Sequence, residues 1–114
     1  MNDLKPAPLV SVALCTYNGA RYIREQMESL LAQTHKNIEV VAVDDGSRDE
    51  TLAILNEYAD RDPRVRVLTN PVNLGFKGNF ARAFAECRGD FIAPSDQDDI
   101  WLPEKLSTLS GLIA

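Results

Sequence analysis

The stretch Leu9-Val10-Ser11-Val12-Ala13-Leu14-Cys15 decides the fold. It is apolar at every position but Ser11, without the in–out alternation of a strand that has one wet face. Such a run reads as a parallel strand buried on both faces. Residues 38–43 read likewise, and shorter runs follow at 65–68 and 91–93. Amphipathic helical segments separate them. In residues 21–33, Ile23, Met27, Leu30 and Leu31 recur at helical spacing. A second helix is expected to open at Ser47, because Ser47-Arg48-Asp49-Glu50 has the form of a capping box. Its apolar face would be Leu52, Leu55, Tyr58 and Ala59. A third carries Phe80, Phe84 and Cys87 and ends by Arg88-Gly89. A fourth starts near Pro103 and runs through Leu106, Leu109, Leu112 and Ile113. The order β-α-β-α-β-α-β-α predicts a three-layer α/β/α fold with a mostly parallel sheet and right-handed crossovers.

The 114 residues suffice for one domain with a modest core. A net charge of -5 and a pI near 4.7 argue against a nucleic-acid backbone as partner. Two cysteines, Cys15 and Cys87, and one histidine, His35, are too few for a closed structural zinc site without carboxylate help. Both cysteines sit in apolar surroundings and read as small buried or half-buried thiols. Residues 1–8 are polar and proline-bearing, an N-terminal extension without the apolar core of a secretory leader. Cytoplasmic placement is the expectation.

Ligands of open α/β sheets bind beyond the carboxyl ends of the strands. Each such end here carries polar equipment: Thr16-Tyr17-Asn18-Gly19, then Asp44-Asp45-Gly46-Ser47, then residues 69–75, then Asp96-Gln97-Asp98-Asp99. The topology must bring all four to one rim. Tyr17 offers a flat ring on which a nucleotide base can stack. Asp45 can accept a ring N–H and so discriminate among bases, whereas Asp44 reads as part of the turn, with Gly46 at positive φ. The crowded carboxylates Asp96, Asp98 and Asp99 repel one another unless a cation or hydrogen-bond donors share the site. Oxygen-only ligands favour Mg2+ or Mn2+, which commonly completes its shell with substrate phosphates. The alternative is a solvated turn with Asp98 or Asp99 as a helix cap.

Four separated motifs, in order and spacing, resemble the N-terminal half of family 2 glycosyltransferases. They are V-S-V-A-L-C-T-Y-N-G (10–19) followed by Q-T (33–34), V-V-A-V-D-D-G-S-R-D-E-T (40–51), N-x-G-x-x-x-N (73–79) and S-D-Q-D-D-I-W-L-P (95–103). The resemblance implies the GT-A fold, a nucleotide-diphosphate-sugar donor, a divalent metal, and transfer to an acceptor hydroxyl with inversion. Carried over residue by residue, Cys15, Thr16 and Tyr17 would line the base pocket beside Asn18, and Asp45 would take the base N–H. The family's acid-x-acid (DXD) motif falls on Asp96, facing the ribose or metal-bound water, and Asp98, the direct metal ligand. Asp99 would be a structural cap, and Lys77 and Asn79 would approach the donor. The last motif is similar to rhamnosyl- and other polysaccharide-assembly transferases.

The resemblance also implies that residues 9–114 are the donor-binding part of a domain, cut before the acceptor half. The general base would then lie beyond Ala114. Two further expectations follow: a chain inactive alone and prone to self-association, and a full-length enzyme at the inner membrane face with a glycan or lipid-linked acceptor. A catalytically incomplete nucleotide-binding module is the alternative. A phospho-acceptor receiver domain is excluded because the first strand ends in Cys15-Thr16 rather than in an acid pair. A sugar nucleotidyltransferase would want a Gly-rich basic loop where residues 17–21 stand.

Overall fold

A computed structural model of the protein describes residues 7–96 and 99–108. Four strands, β1 (Val10–Thr16), β2 (Ile38–Asp44), β3 (Val65–Thr69) and β4 (Phe91–Ser95), form one sheet in the order β3-β2-β1-β4, with every pair parallel. Helices α1 (Ala20–Leu31), α2 (Thr51–Arg61) and α3 (Gly75–Glu86) connect them. The chain steps outward from β1 to β3 and then returns to β1's other side as β4. Strand order therefore reverses at β1, where open α/β sheets place their ligands.

Strand β1 is buried along its whole length, as its apolar run predicts. Val10, Val12 and Leu14 point into a core shared with Ile23, Met27 and Leu30 of α1 and with Ile54, Leu55 and Tyr58 of α2. Ala13 and Cys15 point the other way, joining Val41, Val43 and Ala83 beneath α3. The central strands β1 and β2 are thus covered on both faces, and the three-layer α/β/α reading holds. No helix among the described residues is long and apolar enough to cross a membrane.

Several local expectations are corrected. Helix α2 begins at Thr51, not Ser47, and Ser47-Arg48-Asp49-Glu50 is no capping box. The Ser47 hydroxyl instead donates to Asp44 Oδ1 at 2.6 Å and accepts Asn18 N–H at 2.8 Å. Asp49 Oδ1 takes the Thr51 N–H, and its other oxygen takes the N–H of Ala20 at the start of α1. The loop thereby caps a neighbouring helix as well as its own. On α2 the buried positions include Ile54, while Leu52 is only half-buried. On α3 the buried residues are Asn79 and Ala83, and Phe84 is 41% exposed. Close approach to β1 and β2 admits a small and a polar side chain there, so Phe76, Phe80 and Phe84 run as a ladder along the flank, the first pair edge-on and the second tilted, with centroids 5.0 and 5.7 Å apart. Strand β4 lies at an edge of the sheet, with Ile92 43% exposed, rather than buried on both faces. Residues 105–108 are helical and Leu106 is buried. Leu109, Leu112 and Ile113 lie outside the described residues.

Gln33 fixes the segment after β4. Fully buried, it donates to the carbonyls of Ser29 (3.2 Å) and Leu102 (2.8 Å) and accepts the Leu106 N–H at 3.0 Å. Thr34 N–H adds a bond to the Pro103 carbonyl at 2.8 Å. Gln33→Leu keeps the volume but strands a buried donor and acceptor. It is expected to destabilise the fold by about 1–3 kcal/mol, readable as a lower urea midpoint with the slope unchanged. An unchanged midpoint would mean that the segment is held by its apolar contacts alone.

Candidate functional site

The carboxyl ends of all four strands meet at one cavity of about 540 Å3, within the usual range for small-molecule sites. Cys15, Thr16, Tyr17, Asp45, Asn79 and Asp96 line it. Six of the residues singled out in the sequence thus converge on a single space. Asn18 and Lys77 do not line it. Asn18, at φ 50°, accepts the Arg48 N–H on its side-chain oxygen at 2.8 Å and holds the loop between β2 and α2 against the end of β1. Lys77 is exposed on the first turn of α3. Asp98 lies outside the described residues.

The first two motifs are joined by Asp44. Its carboxylate accepts the Thr16 hydroxyl at 2.8 Å, the Ser47 N–H at 2.9 Å and the Ser47 hydroxyl. Gly46 sits at φ 87°, which lets the chain turn straight back after the strand. Asp44 is structural, as expected.

Asp45 is only 4% exposed, and no salt-bridge partner is found for it among the described residues. Its Oδ1 accepts Asn70 Nδ2 and the Leu74 N–H, each at 2.7 Å, and Oδ2 accepts the Gly75 N–H at 2.9 Å. Burial by itself pushes this carboxyl up, but the donors of Leu74, Asn70 and Gly75 outweigh it and hold the group below its ordinary value. A depressed folded value stabilises the fold above the ordinary carboxylate range. That contribution is lost as pH falls through the lowered value.

The N-x-G-x-x-x-N motif now has a physical account. Asn73 Nδ2 donates to the Asp45 carbonyl at 2.9 Å. Gly75, at φ 78°, turns its N–H onto the Asp45 carboxylate. Asn79 donates to the Val43 carbonyl at 3.1 Å and accepts Asn70 Nδ2 at 2.8 Å. Sequence reasoning missed Asn70 as a site residue, although it stands in the polar string after β3. It also missed Arg48, Val72 and Phe76, which line the cavity. Val72 and Phe76 are each 66% exposed, and an apolar residue in a loop and another on the first turn of a helix carry no signal of a site.

Cys15 is pushed up to about 12, by burial first and then by the charges of Asp96 and Asp45 and by Cys87. It remains a protonated thiol at neutral pH and is no nucleophile. His35 bonds the Pro8 carbonyl through Nε2 at 2.8 Å, a structural role. Asp96 is exposed at the end of β4, with its carbonyl held by Gln26 Nε2 and its N–H bonded to Asp99 Oδ2 at 3.2 Å. Asp99 so closes the turn, in keeping with a structural part. The exposed Asp96 carboxylate at the cavity is an oxygen donor of the kind a hard divalent cation takes, so it fits such an ion. Among the described residues no group of three or more potential metal ligands occurs.

Comparison with known proteins agrees with this geometry. An uncharacterized glycosyltransferase of Haemophilus influenzae is 38% identical over 108 residues, 92% of this chain and 33% of the relative. Among solved structures, S. aureus TarS 1-349 in complex with UDP superposes with a TM-score of 0.83 at 34% identity, over 91% of this chain and 31% of that one. The mannosyltransferase PcManGT from Pyrobaculum calidifontis, in complex with GDP-Man and Mn2+, gives 0.81 at 25% identity, over 95% and 32%. The chain spans about a third of the length of these relatives. The expected GT-A fold is the one present. The description Glycosyl transferase family 2 matches residues 11–114, and the chain belongs to that family.

Proposed function

We propose that this chain forms the nucleotide-diphosphate-sugar site of a glycosyltransferase that moves the sugar to an acceptor hydroxyl with inversion. The observation that carries this is the convergence of Tyr17, Asp45 and Asp96 on one cavity at the strand ends. UDP in TarS and GDP-Man with Mn2+ in PcManGT support the ligand class. Since the chain spans about a third of such proteins, the transfer step is proposed of the whole enzyme, in polysaccharide assembly at the cytoplasmic face of the membrane.

The base stacks on Tyr17, which is 44% exposed at the cavity wall. Asp45 Oδ1 already takes two donors and Oδ2 takes one, so Oδ2 retains one acceptor position. A ring N–H of uracil, thymine or guanine fills it. Asp96 would face the ribose or metal-bound water, and Asp98 would be the direct ligand of the cation. A bound Mn2+ or Mg2+ would neutralise charge developing on the departing diphosphate. No covalent enzyme intermediate is required, because the acceptor hydroxyl, its proton taken by a general base beyond the residues of this chain, displaces the nucleoside diphosphate directly.

The metal assignment is tested by calorimetry with UDP, dTDP and GDP, with and without Mn2+. Affinity is expected to rise with the ion, and Asp98→Ala is expected to remove most of the gain. Loss of an outer-shell partner already costs about 10–100-fold in metal affinity, so a direct ligand should cost at least as much. Metal-independent binding, unchanged in the variant, would sink the assignment.

The base pocket has its own test. Tyr17→Ala is expected to weaken every nucleotide diphosphate by about 1–3 kcal/mol, the scale of a lost base stack. Asp45→Asn alters the preference among bases and also lowers the melting temperature, because its amide would face the Leu74 and Gly75 donors. Variants that leave affinity and preference intact would place the nucleotide elsewhere.

A further inference from the structure

A polar chain runs from Arg82, behind the cavity wall, to Asp45 in the site. Arg82, on α3, donates through one guanidinium nitrogen to Asn70 Oδ1 at 2.8 Å and to the Thr69 carbonyl. Both amide hydrogens of Asn70 are then committed forward, to Asp45 Oδ1 at 2.7 Å and to Asn79 Oδ1 at 2.8 Å. Asn79 is oriented in turn by the Val43 carbonyl, which can only accept. The direction of every amide from Arg82 to Asp45 is therefore determined by groups of fixed donor or acceptor character. Asn70, Asn79 and Asp45 are all buried and line the cavity, whereas Arg82 does not line it.

The arrangement governs what Asp45 can offer. A carboxylate with both oxygens open accepts from many directions and discriminates poorly. Here Asn70 and the Leu74 N–H occupy Oδ1, which leaves acceptor capacity on Oδ2 alone. The Arg82 charge also polarises the Asn70 amide toward Asp45 and satisfies an oxygen that would otherwise be buried without a donor. We infer that Arg82 is a positioning residue for nucleotide selection: acting through Asn70, it restricts Asp45 to a single acceptor aimed at one ring N–H of the base. This rests on the nucleotide reading above and deepens it.

UDP and CDP are suitable probes, because uracil carries a ring N–H where cytosine carries a bare acceptor nitrogen. In the full chain, Arg82→Met keeps the apolar stem and leaves every cavity-lining residue in place. The expected result is that UDP weakens roughly fivefold or more while CDP changes by less than about twofold, the loss of one oriented bond to a charged acceptor. Arg82→Lys keeps a cationic donor and should restore at least part of the UDP preference. Equal weakening of both nucleotides, tracking a lowered melting temperature, would reduce Arg82 to a structural role and overturn the inference. So would an unchanged preference in the Met variant. Unmodified protein that binds none of UDP, dTDP and GDP, or that binds UDP and CDP equally, would defeat the nucleotide reading itself, a result separable from the other two because it appears before any substitution.

Discussion

Asp45 places a negative charge in a nearly closed space with no cation bonded to it among the described residues. Desolvating a carboxylate is costly unless donors replace the water it loses. Three donors do so, from two places: the side chain of Asn70 after β3, and the backbone of Leu74 and Gly75 where α3 begins. The start of a helix is where unsatisfied N–H groups and the positive end of the macrodipole lie. One anion therefore sets the path of residues 70–75 and the point at which α3 departs over the sheet. The carboxyl ends of β2 and β3 and the start of α3 are locked to one another before any ligand enters.

The opposite side of the cavity is held by another device. Gln26, on the inner face of α1, reaches Ser95 Oγ at 3.1 Å and the Asp96 carbonyl. Ser29 and Gln33, one and two turns on, hold residues 101–106. A helix that buries glutamines toward a strand end converts its own rigidity into a fixed address for the acidic turn. Side-chain amides suit this task because each both donates and accepts, and so can satisfy irregular backbone that has no ladder partner.

The strands were legible because a parallel strand buried on both faces is largely apolar, and β1 and β2 are so but for Ser11 and Glu39 and the polar residues at their carboxyl ends. From these, the layers and the shared rim followed by topology alone. What misled was local pattern. Ser47 to Glu50 has the composition of a capping box, yet Asp44 competes for Ser47 and wins, because it is buried and needs the donor. The phenylalanines of α3 suggest an inward face, but the spacing between α3 and the sheet is set by Ala83 and Asn79. At β4 the apolar run is genuine and its second face is not covered by described residues, a fact of position that composition does not encode. The roles of Asn70, Gln26 and Gln33 went unread for a common reason: a buried amide looks like any polar residue until its partners, as far as 73 residues away, are known.

The two sides of the cavity differ in a way that suits the proposed chemistry. The wall around Asp45 is cross-braced by bonds among buried side chains, so its geometry can select a base only by fit, with little room to adapt. The wall formed by Tyr17, Val72, Phe76 and Asp96 is exposed and carries a stacking ring, apolar surface and one charge. Stacking tolerates every base, and a cation between carboxylate and diphosphate tolerates every sugar. On the proposed function, discrimination would belong to the rigid wall and affinity to the open one. A site divided in this way can change its nucleotide through a few residues behind Asp45 while the remainder of the rim stays as it is.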